Sequence, residues 1–229
     1  MALTDNLISF FELEEASGTR VDSVVASGND LSDNNTVTQQ TGKVGNCAEF
    51  THTNSESLSR ASNASLATGD IDFSFAGWIY FTSAFLNAEP IAKDNGSQYE
   101  YTLYTNGSSQ VRWYVEGTAG SSDILLITGS LTTWYFFAVW HDSVNNVVGG
   151  SINDGTPVTA SYSGGARSTA HPFALGGSPY FSGLLDQVGF WKKVLSPAEI
   201  TQLYNGGAGL SYAAMADTPR RLILSTPLA

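Results

Sequence analysis

Three groups of residues in this sequence have side chains that could do chemistry. The first is carboxylate. Glu12, Glu14 and Glu15 crowd one short segment, and Asp70 and Asp72 flank the start of another. Two carboxyl groups roughly 5 Å apart can cleave a glycosidic bond with retention, and a wider pair with inversion. Set against this is the ordinary reading of such groups as solvated carboxylates. The second group is imidazole and thiol. His52, His141 and His171 are scattered, and Cys47 is the single cysteine, so neither a disulfide framework nor a Cys-clustered metal site can be built. His141 ends an apolar run and His171 precedes Pro172, neither beside a recognisable nucleophile. No Gly-x-Ser-x-Gly, phosphate-binding loop or His-Glu-x-x-His occurs. The third group is Tyr104, Arg112, Tyr114 and Glu116, which mixes two rings, a guanidinium and a carboxylate. Rings stack on the apolar C–H faces of sugars, while charged groups bond their hydroxyls.

These groups need elements to position them, and the dominant hydrophobic period is two. Phe73, Phe75 and Gly77 share a parity, as do Tyr99, Tyr101 and Leu103, and then Val111, Trp113 and Val115. If Leu103, Val111, Trp113 and Val115 face a core, the pleat turns Tyr104, Arg112, Tyr114 and Glu116 outward. That face then reads either as a glycan platform or as ordinary outer-sheet decoration. Asn106-Gly107 marks one hairpin turn, where positive φ is expected, and Asp154-Gly155 marks another. Apolar runs recur at 123–128, 133–141, 145–153, 156–162, 172–176 and 184–191. Short strands at such spacing predict an all-β antiparallel sandwich or barrel rather than βαβ units. The run from Thr133 to Trp140 is apolar on both parities, so it is covered on both sides or carries an exposed aromatic face. Trp78, Trp113 and Phe190 are the expected core residues between the sheets.

One short C-terminal helix is marked by Ser196-Pro197-Ala198-Glu199. Ser stands at the N-cap, Pro at the first helical position and Glu at the third, with Leu195 and Ile200 at the staple positions. Asn205-Gly206-Gly207 supplies the stop. From Ala213 the chain changes character, with Pro219, Arg220, Arg221 and Leu222-Ile223-Leu224. Residues 1–212 therefore read as one domain and 213–229 as an extension. The extension is either a tail or strap along the body, or an anchor that adds a strand to a partner's sheet.

Composition narrows the setting. The net charge is −11, charged residues are only 14% and 42% are hydrophobic. A phosphate backbone would be repelled, so nucleic acid is not an expected partner. No apolar run of membrane-spanning length occurs, and Met1 to Asp5 lacks the basic and apolar regions of a secretory signal.

Several segments resemble a known family. Phe10 to Gly18 with Val21-Asp22-Ser23 looks like the opening of a laminin G-like domain of the concanavalin A-like superfamily. Thr41 to Phe50 is similar to its Gly-Lys-x-Gly segment, and Asp72 to Tyr80 to its Trp-bearing strand. Gly183 to Trp191, followed by the capping box and helix through Tyr204, resembles its closing signature. The resemblance covers about residues 7–212 and implies a two-sheet antiparallel jelly roll. Related jelly rolls often hold one calcium where the opening loop meets the closing strand, which makes Asp22 and Asp186 candidate ligands of one structural calcium. The competing reading has Asp22 capping a turn and Asp186 accepting from backbone amides. The family includes glycan-binding modules, adhesion domains and virion surface proteins, and fold alone does not select among them. The expected function is a non-enzymatic surface recognition module, with no catalytic residue assigned. The preferred setting is a phage-type virion, as a decoration or fibre protein that binds glycans or docks on other virion proteins through the C-terminal extension, as a monomer or homo-oligomer. The alternatives are a carbohydrate-binding module of a bacterial surface or secreted protein, and a glycan hydrolase acting through Glu12 and Glu14.

Overall fold

Period-two alternation becomes a sandwich of two antiparallel sheets. The computed structural model describes residues 2–83, 87–177 and 179–216. Among these the strands are β1 (Leu7–Phe11), β2 (Ser32–Asn34), β3 (Thr38–Thr41), β4 (Asn46–Phe50), β5 (Ser57–Arg60), β6 (Phe73–Phe81), β7 (Ala88–Asp94) and β8 (Tyr99–Thr105). They continue as β9 (Gln110–Gly117), β10 (Gly120–Thr128), β11 (Trp134–Asp142), β12 (Val147–Ile152), β13 (Val158–Ser161), β14 (Phe173–Leu175) and β15 (Gly183–Trp191). One sheet runs β13-β12-β11-β6-β15-β4-β3, with β1 also paired to β15; the other runs β10-β9-β8-β7-β14-β5-β2. This is the expected jelly-roll sandwich.

The core lies between the sheets. Phe73, Phe75, Ile79 and Phe81 of β6 meet Tyr101, Leu103, Val111, Trp113 and Val115 of the facing sheet. Phe75 stacks on Phe190 at 4.6 Å and 15° and on Phe173 at 6.0 Å and 9°. The two-sided apolar run resolves as a strand covered on both faces. Tyr135, Phe137 and Val139 enter the core, while Phe136, Ala138 and Trp140 join a second cluster outside it. That outer cluster is roofed by Leu3 and Leu7, helix α1 (Pro197–Tyr204) and helix α2 (Tyr212–Ala216). Trp113 and Phe190 sit between the sheets as expected, but Trp78 does not. It is buried on the opposite face of β6, against Phe136 and Tyr204 at 5.3 and 5.8 Å. Its even position on a strand whose odd residues face the core explains this.

The capping box of α1 forms as read: Ser196 Oγ accepts from the Glu199 amide, and Glu199 accepts from the Ser196 amide at 2.9 Å. Glu199 also takes the Lys193 ammonium at 2.6 Å. Both hairpins form, with their strain displaced. The turn after β8 places Ser109, not Gly107, at φ 62°, while Asn106 Oδ1 accepts from the Ser108 amide at 3.0 Å. In the second, Asn153 and Asp154 take φ 53° and 57°. One feature lies beyond the expected plan. Met215 of α2 is buried in the outer cluster, so packed structure continues past residue 212. Residues 217–229, which hold most of the extension, lie outside the described residues. Among the described residues no helix is long and apolar enough to cross a membrane.

Candidate functional site

Among the described residues, the outer face of the seven-stranded sheet carries no apolar cluster like the one that covers the other sheet. At one end of it β8, β9 and β10 bring Tyr104, Arg112 and Tyr114 outward, since their neighbours Leu103, Val111, Trp113 and Val115 face the core. Tyr104 and Arg112 are register partners. Both converge on Asp123 of β10, which the sequence reading did not single out. The Tyr104 hydroxyl donates to Asp123 Oδ2 at 2.8 Å, and Arg112 Nε donates to Oδ1 at 3.0 Å. Burial, then Asp123, pushes the Tyr104 phenol up to about 12. Tyr114 meets Tyr99 edge-on at 5.5 Å. Glu116 receives Arg167 through Nε at 3.0 Å and Nη2 at 2.7 Å, and accepts the Tyr99 amide at 3.1 Å. The four expected residues thus share a face, but their charged atoms are bonded to protein groups.

At the other end of the same face lies a cleft of about 660 Å³. Its floor is small: Ala92 of β7 and Ala174 of β14 are register partners, and Gly177 adjoins them. Its walls are polar, with Asn34 of β2, Ser57 and Ser59 of β5, Asp94 closing β7, and Tyr180. A bulge makes this possible. Ala88 and Ile91 both face the core, so the strand carries two residues, Glu89 and Pro90, where alternation allows one. Ala92 and Asp94 then line the cleft.

Two carboxyl groups meet here. Burial, then Asp94 beside it, pushes Glu89 up to about 8, and burial raises Asp94 as well. Their side chains are hydrogen-bonded, so the pair holds a shared proton near neutrality. Groups in direct contact leave no room for the sugar carbon that a nucleophile and an acid must flank. Chemically the cleft can grip hydroxyl and amine groups.

Most of the other expected residues are bonded to protein groups. Glu12 accepts from the Tyr212 amide at 3.0 Å and Ser23 Oγ at 3.2 Å, and Glu14 from the Asn46 amide at 2.8 Å. Those carboxylates tie α2 and the 42–46 turn to the body. Asp72 accepts from the Ser143 amide at 2.9 Å. His141 is a buried strand-end residue with Nδ1 2.8 Å from the Ile71 carbonyl. Asp22 is buried and accepts from the Phe10 and Val24 amides, each at 2.9 Å, and from Ser27 Oγ. Asp186 accepts from the Lys43 and Val44 amides at 2.6 and 2.9 Å, and its burial pushes it up to about 7. Each of the two holds a different turn by its backbone, which is the competing reading of these residues. Among the described residues no three His, Cys, Asp or Glu side chains gather in a way that could hold a metal ion.

The cleft was hidden in the sequence. Its walls come from β2, β5, β7 and β14, spread over residues 34–180 as single Ser and Asn side chains that read as turn formers. The one available signal was Ser57-Leu58-Ser59, a strict polar–apolar alternation.

Comparison with known proteins fits this architecture. The binding domain of Paraclostridial Mosquitocidal Protein 1 superposes with a TM-score of 0.75 at 15% identity, over 90% of this chain and 53% of that one. Domain 4 of AbnA, an extracellular arabinanase from Geobacillus stearothermophilus solved with arabinotriose, gives 0.64 at 17% over 86% and 97%. Trypanosoma rangeli sialidase gives 0.64 at 13% over 91% and 34%. The chain spans about half the length of the mosquitocidal binding domain and a third of the sialidase. At these identities the likeness is one of fold. No curated protein matches the chain. The Laminin_G_3 family model matches residues 52–201, which take in β5 to β15 and the start of α1. By that match, laid over the two stacked sheets and the capped helix, this chain belongs to the concanavalin A-like lectin/glucanase superfamily.

Proposed function

We propose that the chain is a non-catalytic glycan-recognition module whose ligand lies in the cleft over β7, β14, β5 and β2. The observation that carries this is the cleft itself: about 660 Å³, a floor of Ala and Gly that admits a ring close to the backbone, and walls of Asn, Ser, Asp and Tyr. Sugars offer a dense array of hydroxyls, and such walls match them without a large apolar surface. The fold neighbour solved with arabinotriose lends support, since its whole domain is this chain's size. The fit of two touching carboxyls to binding rather than cleavage favours recognition over hydrolysis. An extracellular or surface-displayed setting suits such a module. The virion setting would rest on the extension, of which residues 217–229 lie outside the described residues.

A glycan array followed by titration calorimetry tests the reading. Tyr180→Ala and Asn34→Ala should weaken the best array ligand about tenfold or more, while Arg112→Ala and Tyr114→Ala leave it nearly unchanged. The reverse pattern moves the site to the β8–β9 hairpin, and an array without a ligand removes the function.

A further inference from the structure

The cleft has an unusual balance of donors, acceptors and charge. Asp94 is among its lining residues, and no Lys, Arg or His is. On the same sheet Lys93 is paired with Glu100 at 2.6 Å and Arg112 with Asp123 at 3.0 Å, while Arg60, which ends β5 opposite Phe173, is not among the lining residues. The amide donors of Asn34 and Asn35 turn inward. Asn34 Nδ2 donates to Ser59 Oγ at 3.0 Å and the Ser57 carbonyl at 3.2 Å, and Asn35 Nδ2 donates to the Ser55 carbonyl at 2.8 Å. The side-chain oxygens of Asn34 and Asn35 are left as acceptors beside Asp94, the one charged residue of the lining. Behind Asp94 stands Glu89, only 6% exposed, whose Oε2 has no hydrogen-bond partner. A buried acceptor without a donor is costly and calls for one.

We propose that the cleft selects saccharides bearing a protonated amino group, the ammonium seating against Asp94, and rejects carboxylated saccharides. This rests on the glycan reading above and names its ligand class. An ammonium brings positive charge and three donors, which suit the Asp94 carboxylate and the amide oxygens beside it. It also stands in for the proton that Glu89, pushed up to about 8, shares with Asp94. A carboxylate would meet Asp94 as a like charge with no cation in the lining to offset it. The groups facing Asp94 from the surrounding elements are Glu89, the Tyr99 phenol of β8 and His171 before β14.

The test is titration calorimetry at pH 6.0, where the sugar amine is protonated, on the full chain with three trisaccharides: a glucosamine trimer, its N-acetylated counterpart and trigalacturonate. The amino trimer should bind about tenfold more tightly than the acetylated one, and trigalacturonate should not bind. Asp94→Asn, which keeps an oxygen for the Gly96 amide at 2.7 Å, should erase the amino preference and spare the acetylated trimer. Equal affinities for the amino and acetylated trimers, a preference that survives Asp94→Asn, or tight binding of trigalacturonate each overturns the proposal and leaves the glycan reading standing. An array without any ligand overturns both.

Discussion

Lys93 donates to Glu100 at 2.6 Å with neither side chain exposed to water. The ammonium also reaches the Thr169 carbonyl at 2.9 Å, and the carboxylate takes Thr68 Oγ1 at 2.9 Å and Thr169 Oγ1 at 3.0 Å. The pair thereby pins the segment before β14 to β7 and β8, next to the cleft. Removing one partner leaves the other as a buried charge without compensation. Glu100→Gln should cost about 3–5 kcal/mol in chemical denaturation. The double change Lys93→Met with Glu100→Leu should recover much of that loss, because it removes both charges.

Stability should fall as pH rises through the neutral range. Glu89 and Asp186 have carboxyls raised from 4.5 to about 8 and from 3.8 to about 7. A raised carboxyl favours folding fully below its unfolded pKa and loses that contribution as pH climbs through the folded value. The melting temperature should therefore decline between about pH 4.5 and 8 on account of Glu89. Melting curves of Glu89→Gln should show a flatter decline across that window; an unchanged slope refutes the assignment.

Asp123 holds Tyr104 and Arg112 together, so its removal has a spectroscopic signature. In Asp123→Ala the Tyr104 phenol should titrate lower than about 12, though above 10 because burial, the larger cause, persists. Ultraviolet titration of tyrosinate, with Tyr104→Phe as the reference, reads this directly.

Ser196→Ala should destabilise the protein by about 1 kcal/mol, the usual cost of losing an N-cap acceptor. Glu199→Ala should cost more, since Glu199 also partners Lys193 at 2.6 Å in a largely buried site. Thermal melts of the two variants give the order.

Much of the sandwich was legible because burial on one face leaves a period of two, and most strands here are buried on one face. Trp113 and Phe190 followed from that rule. Trp78 departed from it because β6 is covered twice, and a doubly covered strand erases the alternation that tells inside from outside. β15 shows a second limit. Gln187 adopts φ 51° within the strand, so Leu185 and Val188 both face the core although their parities differ. Periodicity read through such a bulge assigns one half of the strand to the wrong side. The outward hairpin residues were found because β8 and β9 alternate without interruption over their Trp113 stretch. The cleft was not found, because the bulge at Glu89-Pro90 and three distant strands create it together, and none of its residues is unusual alone.

Leu3 and Met215 are both buried in the cluster outside the eight-stranded sheet, the far side of the sandwich from the cleft. The first and last described segments are therefore both packed on the back of the molecule. A bead coupled at an exposed position of α2, such as Ala213, leaves the polar hollow open to the surrounding liquid for capture experiments.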